Sequence, residues 1–212
     1  MKILITAGPT REYLDPIRFI SNPSTGKMGY LLAEFLQKKG YKTILISGPT
    51  HLKPPKNVKL IKIETAEEMK KEVLKDFPKV DCLIMASAIS DWRPEEVSIS
   101  KIKRKKEWTL KLIPNPDILK EVSKIKKKNQ IVIGFSLETE KIKENALKKL
   151  KEKKLDLIVG NTPSFFGKGK KAEVIFIFKD GRIKEFSKIS KEEVVKKIVS
   201  YLGILKEGKS HL

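Results

Sequence analysis

The chain has 212 residues, 40% of them hydrophobic, and a formal net charge of +20 from 46 Lys and Arg against 26 Asp and Glu; that is long enough for one self-sufficient core and too apolar for a disordered chain. One cysteine, Cys82, and two histidines, His51 and His211, exclude a disulfide framework and a cysteine-cluster metal site, and leave almost nothing for a histidine-based hydrolase. No apolar run reaches the roughly 18 residues of a membrane helix, and the opening MKILITAG meets Gly and Pro too soon for a signal peptide, so no membrane partner and a cytoplasmic setting are expected.

The first predicted element is a strand, KILITA (Lys2 to Ala7), followed by a long polar loop to Gly29. A helix starts near Gly26, with Met28, Leu31, Leu32, Phe35 and Leu36 on one face, and stops at Gly40. KTILIS (Lys42 to Ser47) and VKLIKI (Val58 to Ile63) read as strands. A helix from about Ala66 to Phe77 leads to the apolar strand VDCLIMAS (Val80 to Ser87). EWTLKLI (Glu107 to Ile113) reads as a further strand. Helices near Pro116 to Lys127 and Lys143 to Lys153 precede the strands QIVIGFS (Gln130 to Ser136) and LDLIVG (Leu155 to Gly160). AEVIFIFKDGRIKEFS is a hairpin turning at Asp180-Gly181. A last helix runs from about Lys191 to Leu202, with residues 205–212 as a frayed tail.

Continuous apolar strands separated by amphipathic helices define a single α/β domain over 1–212. It is a three-layer, Rossmann-like fold with a mainly parallel sheet. A small antiparallel appendage is expected from Glu107 to Ile113, with the late hairpin as a second candidate part. The basic residues are spread along the chain, many beside glutamates in helices, and aromatics are only 7%. That is the pattern of solvated helix faces rather than of a nucleic-acid platform.

In such a sheet, ligands sit where strands end at their carboxyl side. Five loops lie there or close by. The first, Ala7 to Gly29, enters a helix through STGKMG, a glycine-rich turn suited to a phosphate. It matches neither GxGxxG nor GxxxxGK[ST], since Gly8 and Gly26 are too far apart. The second, SAISDWRP, puts Asp91 past a buried strand. The third is KIKRKK, Lys101 to Lys106, which taken alone is a solvated run. The fourth is PNPDIL, where Asn115 is expected to cap the helix with Asp117 in its first turn. The fifth is GFSLET, followed by a helix on which Asn145, Lys149 and Lys153 share a face.

In this order, ITAGPTRE, RFISNPSTGKMG (Arg18 to Gly29), SAISDWRP, KIK, NPDI, GFSLET and LDLIVGN resemble the phosphopantothenoylcysteine synthetase family. The resemblance runs from Lys2 to about Leu202, and it is to the bacterial, CTP-dependent type without its fused decarboxylase domain. It implies a ligase of coenzyme A biosynthesis. Phosphopantothenate would be joined to cysteine through an acyl-nucleotide, with CTP favoured over ATP as co-substrate and Mg²⁺ held mainly by the nucleotide phosphates. By the same resemblance Asn22 stabilises the acyl-nucleotide, Arg18 neighbours it, and Lys101 contacts the phosphates. The nucleotide would draw on Gly8, Thr10, Ser24, Gly26, Ala88, Asp91, Asn115, Pro116, Asp117, Ile118, Phe135, Lys149 and Lys153, with Phe135 against the base. Family members are typically homodimers, with the pantothenate site across the interface. The stretch Ser164 to Val174 departs from the family pattern. A Rossmann-like nucleotide-binding protein of other function is the alternative.

Overall fold

A computed structural model describes residues 1–104, 106–165 and 171–210. Its elements, in chain order, are β1 (Lys2–Ala7), β2 (Arg11–Tyr13), β3 (Phe19–Ser21), α1 (Lys27–Lys38), β4 (Lys42–Ser47), β5 (Lys59–Lys62), α2 (Ala66–Asp76) and β6 (Cys82–Met85). There follow β7 (Trp92–Pro94), β8 (Leu112–Pro114), α3 (Ile118–Ile125), β9 (Ile131–Leu137), α4 (Ile142–Glu152), β10 (Leu157–Asn161), β11 (Lys171–Phe178), β12 (Ile183–Ser190) and α5 (Lys191–Ser210).

Eight strands form one sheet in the order β12-β11-β10-β9-β6-β1-β4-β5, parallel from β10 to β5. Side-chain alternation along each strand splits the interior into two cores. Ile3, Ile5 and Ala7 of β1 pack with Leu32 and Leu36 of α1 and Val194 and Ile198 of α5. Leu4 of β1 faces the other way, with Met69 and Val73 of α2, Val122 of α3 and Leu150 of α4. The expected three layers are therefore present, with two helices on one face and three on the other. Full burial of one Leu or Ile contributes about 1.5–3 kcal/mol. The pairs Lys38–Glu34, Lys75–Glu72 and Lys124–Glu121 lie at the surface, where solvent screens them and leaves little net stabilisation. The cores, not the abundant lysines, hold the fold.

Local signals place the elements. Thr65 caps α2 in a capping box with Glu68. Cys82 is fully buried in β6, as its place in an apolar strand requires.

Five expectations are corrected. The late hairpin does not belong to an appendage: β11 pairs antiparallel with β10, Leu157 opposite Phe178, and extends the main sheet. The reason is that β11 buries residues on both faces, whereas the outer strand β12 exposes Lys184, Glu185 and Lys188 and suits an edge. Glu107 to Ile113 is not a full strand either. Only Leu112–Pro114 pairs, with β7, because β7 itself offers three residues. The long first loop contains a small hairpin, β2 with β3. Finally, Asp117 rather than Asn115 caps α3, accepting from the Lys120 N–H at 3.0 Å. The last helix also continues past Leu202 to Ser210. Lys105 and residues 166–170 of the expected basic and Ser164-to-Val174 stretches lie outside the described residues.

Candidate active site

From β1 the chain moves outward through β4 and β5, then returns to β6 on the other side of β1. The crevice beyond the carboxyl ends of β1 and β6 is thus the switch point where doubly wound sheets take ligands. The two loops that meet there are laced together. The Ala88 N–H donates to the Gly8 carbonyl at 2.9 Å, and the Thr10 N–H to the Ala88 carbonyl at 3.3 Å. Thr10 Oγ1 accepts from the Ser90 N–H at 3.0 Å, and the hydroxyls of Thr6 and Ser87 lie 2.8 Å apart. Gly8 and the fully buried Thr10 therefore shape the crevice from behind.

Asn22 fastens the same two loops from the front. Its Nδ2 donates to the carbonyls of Ala88 at 3.3 Å and Ile89 at 3.1 Å. Asn22, Ser24, Gly26, Ala88, Asp91, Phe135 and Lys149, seven of the residues singled out in the sequence, line one cleft of about 500 Å³. Gly26 caps α1 with φ 76°, a left-handed conformation that glycine adopts at no steric cost, and it supplies no side-chain cap. Gly26, Lys27 and Met28 at the start of α1 all line the cleft, so the positive end of the helix dipole lies at it.

The remaining predicted residues stand elsewhere. Arg18 Nη1 donates to Asp15 Oδ2 at 2.8 Å and to the Ile102 carbonyl at 3.1 Å; the exposed Lys101 adjoins it in sequence. Neither lines the cleft. Asn115 braces the Asp91 loop: its backbone N–H donates to the Asp91 carbonyl at 2.8 Å and its Nδ2 to the Ser90 carbonyl at 2.8 Å. Pro116 is half-buried and Ile118 is a core residue. Asp117 forms an ion pair with Lys153, tying α3 to the end of α4.

Lys27, Asn161, Phe165 and Lys191 are among the lining residues that were not foreseen. Asn161 ends β10, so the strand-end rule that pointed to Phe135 was available for it. Lys191 carries no local signal, because nothing in the sequence near it says that α5 returns to the end of β1.

The cleft is cationic. Lys27, Lys149 and Lys191 line it, with Asp91 as the one carboxylate among the described lining residues. Burial pushes the Lys149 ammonium below the ordinary lysine value, and the charges of Glu138 and Asp91 offset this in part. Its Nζ donates to the Phe135 carbonyl at 3.1 Å. Because the folded pKa lies below the unfolded one, the native state holds fewer protons between the two values, so Lys149 costs stability below that window and the cost fades as pH rises through it. Lys149→Met should therefore leave the melting temperature unchanged or raise it. Affinity for a nucleoside triphosphate should fall about 10- to 100-fold, the worth of a charge-assisted hydrogen bond. Calorimetric melting and titration of the same sample measure both.

A doubly wound α/β protein with three ammonium groups and an open helix N-terminus at its switch point is built to hold a phosphorylated ligand. The chain belongs to the DNA/pantothenate metabolism flavoprotein C-terminal domain family, whose model matches residues 1–204. It is 45% identical to the coenzyme A biosynthesis bifunctional protein CoaBC of Borreliella burgdorferi, over 95% of this chain and 52% of the relative. It is 43% identical to the CoaBC protein of Bacillus subtilis, over 96% and 51% respectively. The chain thus spans about half the length of these relatives. The crystal structure of the C-terminal domain of a CoaBC protein superposes with a TM-score of 0.84 at 37% identity, covering 98% of this chain and 96% of that one.

Proposed function

We propose that this chain is a phosphopantothenate–cysteine ligase acting in coenzyme A biosynthesis. The observation that carries the reading is the convergence of Asn22, Asp91, Phe135 and Lys149, from four separate segments, on one cleft at the switch point. In this reading the substrate carboxylate attacks the α-phosphorus of the nucleotide and pyrophosphate leaves. The cysteine amine then attacks the acyl carbonyl and the mononucleotide leaves. Neither step needs a protein nucleophile, which agrees with a chain whose single cysteine is buried. What the steps need is positive charge near the phosphates and donors aimed at developing negative charge. In this reading Lys149 supplies the first, and Asn22 the second once its Nδ2 hydrogens leave the carbonyls of Ala88 and Ile89.

CTP is the favoured co-substrate, with Phe135 against the base and Asp91 near the sugar or base. Mg²⁺ would be held mainly by the nucleotide phosphates; when bound it supplies charge neutralisation. Pyrophosphate release in the presence of phosphopantothenate, cysteine, Mg²⁺ and either CTP or ATP tests the reading. Release should be faster with CTP. No release with either nucleotide contradicts it.

The same reading includes a homodimer. Ile17, Trp92, Val97, Trp108 and Leu112 are exposed, and Ile99 is 97% exposed. Backbone bonds from Ser98 to Leu14 and from Glu95 to Lys111, with the Arg18–Ile102 bond, bring these segments together. An apolar patch of this kind marks an interface. Its apolar side chains and its share of Glu107 to Ile113 favour it over the charged β12 edge. The pantothenate site would then lie across the interface, with Arg18 and Lys101 at its boundary. Ile99→Glu should convert a dimer, twice 24.2 kDa, to a monomer in analytical ultracentrifugation, and wild-type protein sedimenting as a monomer contradicts the dimer. Among the described residues no helix is long and apolar enough to cross a membrane. A cytoplasmic setting fits a single cysteine, Cys82, buried in β6.

A further inference from the structure

A second cleft, of about 840 Å³, opens past the carboxyl ends of β4 and β5. Asn22, Pro23, Ser24 and Thr25 line both this cleft and the nucleotide cleft, so residues 22–25 form a strap between the two. Phe19, Tyr30, Leu60 and Ile63 give the second cleft apolar walls, and its charged groups include Arg11, Lys62 and Glu64. An apolar hollow with a few polar groups is the usual form of a small-molecule site.

Arg11 is held in place there with its donors open. Its guanidinium carbon stands 4.5 Å from the centre of the Phe19 ring, which presets the plane of the fork. Its Nη1 is 3.6 Å from Glu64 Oε2, beyond hydrogen-bond length, and that oxygen accepts from the Tyr13 hydroxyl at 3.2 Å. Tyr13 also meets Phe19 edge to face at 5.6 Å, so it braces both neighbours of Arg11. The Arg11 side chain itself makes no hydrogen bond among the described residues. Its backbone N–H donates to the Glu64 carbonyl at 2.8 Å, and in the β2–β3 hairpin it stands opposite Ser21, the residue before Asn22.

A stacked guanidinium with an open fork fits a carboxylate bidentately. Glu64 beside it repels any acid that brings no positive charge of its own. Together they select a carboxylate that carries a neighbouring ammonium, which is an α-amino acid. We propose that the second cleft holds the cysteine substrate and that Arg11 binds its carboxylate. The inference rests on the ligase reading for the identity of the amino acid. The amine sits on the carbon next to the carboxylate, so a molecule clamped at Arg11 has its amine beside the strap that carries Asn22. The apolar walls suit the thiol, a weak hydrogen-bonding group. Tyr13 and Glu64 are positioning residues that act through Arg11.

Steady-state kinetics of wild type, Arg11→Met and Arg11→Lys, with cysteine and with cysteamine as the amine, test this. Cysteamine is cysteine without its carboxylate. Arg11→Met should raise KM for cysteine about 10- to 100-fold, the worth of a charge-assisted pair. KM for cysteamine, KM for phosphopantothenate and pyrophosphate release without any amine should stay within about twofold of wild type. Arg11→Lys keeps the charge without the fork and should fall between wild type and Arg11→Met. An unchanged KM for cysteine in Arg11→Met overturns the inference, because an arginine that only pairs with Glu64 and stacks on Phe19 predicts that result. Equal losses for cysteine and cysteamine overturn it too, since they make Arg11 a support of the strap. A raised KM for phosphopantothenate alone overturns it by giving the cleft to that substrate. A wild-type protein that releases no pyrophosphate with either nucleotide removes the ligase reading along with the inference. Wild-type release with a cysteine KM that Arg11→Met leaves intact removes the inference alone. If Arg11→Met fails to melt cooperatively, Arg11→Gln carries the same comparison.

Discussion

Asn22→Asp should cut product formation by about 10²–10³-fold, the usual cost of losing one donor aimed at developing negative charge, while nucleotide affinity changes only a few-fold. The substitution keeps shape and removes the amide donor. It also sets a carboxylate where Nδ2 now lies 3.3 and 3.1 Å from the carbonyls of Ala88 and Ile89. Two partly buried hydrogen bonds become two repulsions, so stability should fall by about 2–3 kcal/mol. The affinity is largely spared because Phe135, Lys149 and Lys191 approach the cleft from other segments. Steady-state turnover and equilibrium titration on one preparation separate the two effects. Full turnover in this variant removes Asn22 from its role, and a parallel collapse of nucleotide binding makes it a purely structural staple.

Gly48→Ala is the largest expected loss of stability. A Cβ at Gly48 would stand 1.8 Å from the Pro9 carbonyl oxygen, where real Cβ atoms keep beyond 3.0 Å. Pro9 has little room to yield, because it bridges to Ala88, while the Gly48 N–H is bonded to the Ala7 carbonyl at 2.9 Å. Relief therefore requires the laced loops at the switch point to part. Overpacking against fixed backbone sits at the upper end of the usual range, about 3 kcal/mol or more, which for a chain of this size lowers the melting temperature by roughly 6–12 °C. Gly203→Ala is the matching control. It lies within α5 with nothing within 4 Å of an added Cβ, and should stabilise by up to about 1 kcal/mol through helix propensity. A Gly48→Ala melting temperature equal to wild type would contradict the tight crossing.

The β1, β4, β6, β9 and β10 strands were legible because each is a nearly unbroken apolar run, and α1, α2 and α4 because their apolar residues recur at helical spacing. The three-residue strands β2, β3, β7 and β8 have no period to read: tertiary pairing alone makes them strands. The hairpin could be read as a hairpin, but not its partner, since pairing with β10 depends on which strand is left with an open edge. Asn115 and Asp117 both suit a cap, and the Ser90 carbonyl and the Asp91 loop decided between them by drawing Asn115 away.

At the site, Asn22, Asp91, Phe135 and Lys149 follow from strand ends and family motifs, which are local. Lys27 and Lys191 are brought together by the docking of α5 on α1. That is a long-range event, and in the sequence their surroundings read as ordinary solvated helix starts. Arg18 and Lys101 show the converse: their motifs are plain, yet Asp15 and the 98–102 segment hold Arg18 outside the cleft of its own chain.

The half-reaction without cysteine tests the central claim most directly. With CTP, Mg²⁺ and phosphopantothenate alone, the protein should release about one pyrophosphate per active site and accumulate a phosphopantothenoyl-cytidylate detectable by mass spectrometry. Adding cysteine should discharge it to CMP and the amide product. Pyrophosphate release that appears only when cysteine is present, with no acyl-nucleotide trapped on rapid quenching, would contradict a ligase that works through that intermediate.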